Sequence, residues 1–196
     1  MLSVFLPSLG NVLSGVLKAG ISLLNTLSKS LTTLGNALGL FETNNPEDLG
    51  VKRIQAEEIG IEPENYDTYD EYLSVIDSFE IDEEKAADIP LEDKLAKAAQ
   101  HTLEALDNKY PGAEVTNLAK GVTLHEEFYN DERFAVLADL VDHDPDQMLK
   151  IGKLLCGELG EDERNDTIDL LVSAEQTKNP ELSTEEIVEK VRHELA

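Results

Sequence analysis

Forty-one residues pass before the first acidic side chain of this chain. Met1 to Phe41 contain no Asp, Glu or Arg, and their only charged side chains are Lys18 and Lys29. From Glu42 onward there are 14 basic and 41 acidic residues, and the 196 residues together carry a formal net charge of −25. A break this sharp marks a candidate boundary between two physically different parts. An apolar stretch needs a surface to cover it, and an excess of carboxylates needs water around it.

The first part has helical periodicity. Leu13, Leu17, Gly20, Leu24, Leu27, Leu31, Leu34 and Leu38 recur at alternating spacings of four and three, the seam positions of a heptad. Gly15, Lys18, Ser22, Asn25, Lys29, Thr32, Thr33 and Asn36 face away from that seam, and none is a large apolar residue. The spacing predicts one amphipathic helix over Leu13–Leu38, about 39 Å long at 1.5 Å per residue. Pro7 starts or kinks the segment before it, and Gly39 is a natural C-terminal cap.

Several readings compete for this Leu face. The positions beside the seam hold Ser14, Val16, Ile21, Leu23, Ser28, Ser30, Gly35 and Ala37 and no charge. A simple coiled-coil zipper, which uses charges there to set partner and register, is therefore disfavoured. A single membrane-spanning helix is poor, because Asn25, two lysines and nine Ser/Thr residues interrupt the apolar stretch. Self-association in a membrane would use the small residues Gly10, Gly15, Gly20, Gly35 and Gly39. A surface-seeking helix would dock its Leu face on a partner protein or lie on a bilayer. The remaining reading makes the stripe the core helix of its own domain, the usual fate of an apolar stripe.

The rest of the chain reads as helix after helix. Asn45-Pro46-Glu47-Asp48 combines a capping Asn, Pro at the first position and acids in the first turn, predicting a helix to about Glu58 that stops at Gly60. Thr68-Tyr69-Asp70-Glu71 and Ser183-Thr184-Glu185-Glu186 are capping boxes. A short helix is expected from Asp82 to Ala87 and a strong one from Leu91 to Asn108, ended by Tyr110-Pro111-Gly112. Further helices are expected over Glu132–Asp142, around Met148–Leu159 and over Asp162–Gln176. The stretch from Ala113 to Asn130 is ambiguous between Val115–Lys120 and Leu124–Tyr129. No segment sustains period-two alternation, so no sheet is expected. The fold class is all-α, divided into 1–41 as the apolar helix, 42–90 as an acidic arm or linker, and 91–196 as an acidic helical bundle.

Chemical signatures are weak. The acidic exterior repels phosphates, which argues against direct nucleic-acid binding and favours a basic protein surface if the acidic part has a partner. Cys156 is alone, so no intramolecular disulfide forms, and it reads as a small buried hydrophobe. His125-Glu126 begins a zinc-protease pattern, but Tyr129 stands where the second His belongs. His101, His125, His143 and His193 read as solvent-facing or capping residues. Asp142-His143-Asp144-Pro145-Asp146 resembles the start of a calcium loop, but Gln147 and Lys153 occupy the positions that need Gly and Glu. Those acids read better as helix caps. No Gly-x-Ser-x-Gly elbow and no phosphate-binding glycine pattern occurs.

The sequence therefore predicts no catalytic residue, no metal site and no cofactor. The expected role is a non-enzymatic structural or adaptor component that docks through residues 1–41 into a larger assembly such as a virion, tail or secretion machine, with a protein partner or a second copy of itself. The alternative is a membrane-associated protein whose N-terminal helix inserts into or lies on a bilayer. A positively charged region ahead of the apolar stretch is missing, so the N-terminus does not read as a secretory signal. Synthesis in the cytoplasm is expected, with membrane or particle association left open.

Overall fold

In the computed structural model, residues 20–129, 131–144 and 146–195 are described, the side chains of Glu126, Asp131, Glu132 and His143 excepted. These residues are all-helical, without a strand among them. Ten α-helices follow in order: α1 Ile21–Ala37, α2 Pro46–Glu58, α3 Tyr69–Asp77, α4 Glu83–Asp88, α5 Leu91–Lys109, α6 Val115–Leu124, α7 Asp131–His143, α8 Asp146–Leu155, α9 Glu161–Lys178 and α10 Thr184–Glu194.

Local signals set most of these ends. The Asn45 side chain accepts a hydrogen bond from the Glu47 amide at 3.0 Å, and Pro46 takes the first position of α2. Both capping boxes form, with Thr68 and Ser183 accepting from the backbone of Glu71 and Glu186. Helix α1 ends in a Schellman turn: Gly39, at φ 68°, lets its own amide reach Asn36 O and the Leu40 amide reach Gly35 O. Asp144 caps α8, its carboxylate accepting from the Asp146 amide at 3.1 Å. The ambiguous stretch resolves into α6 and a short 3-10 turn over Glu126–Phe128.

The chain divides into two compact units, Met1–Pro111 and Gly112–Ala196. In the first, α5 is the central helix and packs along both α1 and α2, with α3 beside it. In the second, α6 pairs with α8 and α9 with α10, while α7 contacts α8 and α9. This differs from the divisions at 41 and 90 expected from charge. The physical reason is that α5 carries two buried faces. Leu95, Ala98, Ala99, His101, Thr102, Leu103, Ala105 and Leu106 are all buried, and such a surface requires more than one covering helix. Nor is 42–90 an arm. The Gln55 side chain exchanges two hydrogen bonds of 2.9 Å with the backbone of Asp82, and Tyr72, Leu73, Ile76 and Ala86 are buried.

Candidate functional site

The Leu face singled out in the sequence lies inside the first unit from Leu24 onward. Leu24, Leu27 and Leu31 are 0% exposed, and Leu34 and Leu38 are also buried. The burial continues round the helix to Ser28, Ser30, Thr32 and Gly35. Ser28 shows how closely α1 lies on α5: its hydroxyl stands 2.7 Å from both its own Leu24 carbonyl and the Leu95 carbonyl of α5. Of the expected docking face, Leu24, Leu27, Leu31, Leu34 and Leu38 are therefore packed within the first unit. Gly20 stands at the N-cap with φ 114°, so α1 starts at Ile21. Leu13 and Leu17 lie outside the described residues.

Each unit contains one buried polar centre within itself. The first surrounds Arg53 of α2. Its Nε pairs with Glu57 Oε1 at 2.6 Å, and its Nη1 meets the Tyr72 hydroxyl of α3, His101 Nδ1 at 3.2 Å and Glu104 Oε2 at 3.6 Å on α5. The guanidinium also lies over the Tyr72 ring, 5.1 Å from its centroid. Lys97 adds a 2.9 Å bond to Glu57. Burial opposes charge on Glu57, but its bonds from Lys97 and Arg53 outweigh burial and hold the carboxyl below the usual range. Glu104 goes the other way, because burial pushes its carboxyl up more than Arg53 draws it down.

His101 is wholly buried in this centre, a correction to the solvent-facing or capping histidine expected. Its Nδ1 faces the Arg53 guanidinium, which can only donate, so this nitrogen accepts and the proton is assigned to Nε2. Burial first, and then the charges of Arg53 and Lys97, holds the imidazole well below its ordinary range. No sequence signal announced this. His101 follows the Leu95, Ala98, Ala99 stripe by helical spacing, but a His there reads equally well as a boundary residue.

The second centre surrounds Arg133 of α7, which is 1% exposed. Its guanidinium lies 4.3 Å from the Phe128 ring centroid and pairs with Glu175 of α9 and, at 2.6 Å, with Glu194 of α10. Burial pushes the Glu175 carboxyl up despite Arg133. Cys156 is half-buried rather than enclosed, and its thiol faces the Asn117 carbonyl at 3.3 Å. Burial and the neighbouring Glu158 raise that thiol, the opposite of activation.

A cleft of about 610 Å³ opens in the first unit at the C-terminal end of α1, between Gly39, Tyr69, Asp70, Asp77 and Lys109. Lys109 donates to the Leu38 carbonyl at 2.7 Å and so caps α1. Asp77 accepts from the Glu42 amide at 3.2 Å, and its carboxyl is pushed up by burial. Lys109 and Asp77 are thus engaged in joining α5 and α3 to the end of α1 and the residues that follow it. Among the described residues, no three His, Cys, Asp or Glu side chains converge as a metal ion would require. No described helix is long and apolar enough to cross a membrane.

The class defined by these observations is an all-helical, acidic protein of two units, each cross-braced by a buried arginine. Comparison with protein-family models, curated proteins and solved structures finds no match to the chain.

Proposed function

We propose that the chain is a non-enzymatic structural or adaptor component that attaches to a larger protein assembly through its N-terminal segment. The reading rests on one observation: residues 1–41 hold no acidic side chain in a chain whose net charge is −25. Because the leucines of α1 are committed to the first unit, attachment on this reading belongs to residues 1–19. Their sequence includes Leu2, Val4, Phe5, Leu6, Leu9, Val12, Leu13, Val16 and Leu17, with Lys18 as the one charged side chain. The acidic remainder acts as the solvated part that prevents indiscriminate association.

The alternative is that the same segment lies on a bilayer. A chain beginning at Gly20 separates the two readings, because it keeps α1 in place. The full chain should self-associate in light scattering or bind its assembly partner, and the shortened chain should not. Flotation of the full chain, but not the shortened one, with neutral liposomes would favour the bilayer. Equal behaviour of both chains in every assay would refute attachment through residues 1–19.

A further inference from the structure

We propose that His101 is a proton-sensing latch of the first unit, whose protonation loosens the docking of α1 and α3 on α5. The ring sits where three connections meet. Arg53 of α2 reaches its Nδ1 at 3.2 Å. The Tyr72 ring of α3 stands edge-on with centroids 5.8 Å apart. The Phe41 ring also packs on the imidazole, with centroids 5.2 Å apart. Phe41 in turn lies against the last turns of α1, so close that a Cβ on Gly35 would fall 2.6 Å from the Phe41 ring. The imidazole is therefore wedged beneath the residues that fasten α1 and α3.

Only the neutral ring suits this place. A protonated ring would turn an Nδ1–H toward the Arg53 guanidinium, replacing an acceptor with a second cation at hydrogen-bond distance. Nε2 has no hydrogen-bond partner to stabilise the new charge. Of the ionisable groups in this centre, helix α2 supplies Arg53 and Glu57, α3 supplies Tyr69 and Tyr72, and α5 itself supplies Lys97 and Glu104. The sole ionisable side chain of α1 is Lys29, which is exposed, as is Glu42 beside Phe41. Glu57 is bound by Arg53 and Lys97, and Glu104 hydrogen-bonds Gln100. Uptake of a proton by His101 therefore requires the ring, or Arg53, to leave its place, and Phe41 and Tyr72 lose their seat with it.

The linkage has a definite sign. The opened unit binds the proton at the ordinary histidine value of about 6.5, and the closed unit resists it. His101 thus favours closure fully above that pH, and its contribution falls away below it. Opening should grow by up to about tenfold per pH unit below 6.5. Glu104 and Asp77, raised by burial, take protons preferentially in the closed unit and oppose this. Glu57, which is lowered, adds to it only at more acidic pH. A comparison with a variant neutral at position 101 separates His101 from all three. The inference does not rest on the attachment reading; its consequence is that mild acid uncovers the leucines of α1.

The test is hydrogen exchange with peptide mass spectrometry on the full chain and on His101→Gln from pH 7.5 to 5.0, corrected for intrinsic exchange rates. In peptides from α1 and α5, the ratio of opening in the parent to opening in H101Q should be flat above pH 6.5. It should then rise by about tenfold per unit below it. Peptides from residues 112–196 should show no difference between the two chains. Parallel pH profiles in α1 and α5 would overturn the proposal. Should H101Q fail to fold, the His101 ring resonances of the parent decide: they should hold their neutral positions in the closed form to pH 5. Smooth titration of the ring within a closed first unit would overturn the latch equally.

Discussion

Two of the four arginines in this chain are buried, against none of the described lysines. The choice has a physical basis, since a planar guanidinium can bond several carboxylates and also lie on a ring, which an ammonium does poorly. Arg133 does both, joining Glu175 and Glu194 while covering Phe128. Two carboxylates face one guanidinium there, and burial has already raised Glu175. Arg133→Ala should cost about 3–5 kcal/mol at pH 7, because it leaves buried carboxylates without their cation. A carboxyl raised in the fold takes its proton there before it does in the unfolded chain, so stability gained from that proton grows as pH falls toward about 4.5. Arg133 draws the Glu175 carboxyl down, so its removal raises that carboxyl further, and the deficit of the R133A chain should shrink between pH 7 and pH 5. Urea unfolding at the two pH values measures it, and a deficit that widens in acid would contradict this account. None of this was visible in the sequence, where Arg133 follows Asp131 and Glu132 and reads as part of a solvated charged run.

Helix boundaries were largely legible, because caps and breakers act over three or four residues. Asn45-Pro46, the two capping boxes, Gly39 and Gly60 stand where their chemistry places them. What each helix covers was less legible. Thr32, which faces away from the Leu seam by spacing, is 0% exposed, whereas the apolar Leu91 that opens α5 is 42% exposed. Gly50 gives the sharpest case. Alanine in place of a helical glycine usually stabilises by about 1 kcal/mol. Here the added Cβ would fall 1.9 Å from the Lys94 carbonyl oxygen of α5, a backbone atom that cannot swing aside. Gly50→Ala should instead destabilise by about 1–3 kcal/mol net, as overpacking does. Leu27→Ala should cost about 2–5 kcal/mol, since Leu27 is wholly enclosed. Thermal melts of both chains test the packing of α5 against its two neighbours. An unchanged melting temperature for either would argue against it.

The charge break near residue 42 falls within one folded unit. Residues 1–111 contain eight basic and twenty acidic side chains, and residues 112–196 contain eight and twenty-one, so the units are almost equally acidic. The apolar segment Ile21–Ala37 is the partner that covers α5, whose exposed positions carry the charge. Removing residues 1–41 should therefore melt α2 and α5 while leaving the second unit folded. A fragment of residues 112–196 should show a helical circular dichroism spectrum and a cooperative melt by itself. Survival of a native-like first unit in the 42–196 chain would mean that α1 is an appendage after all.

The break in charge was legible from composition and a helix through Ile21–Ala37 from periodicity, because both depend on residues close together along the chain. Periodicity states that a Leu face must be covered and is silent about the surface that covers it. That surface proved to be α5, 67 residues away at the Ser28–Leu95 contact, and the placement of His101, Arg53 and Arg133 in the interior follows from the same long-range packing. Local chemistry along the chain settled where helices begin and end. Which faces meet, and so which polar side chains are taken out of water, was settled by contacts between residues far apart in sequence, and spacing along the chain holds no record of those.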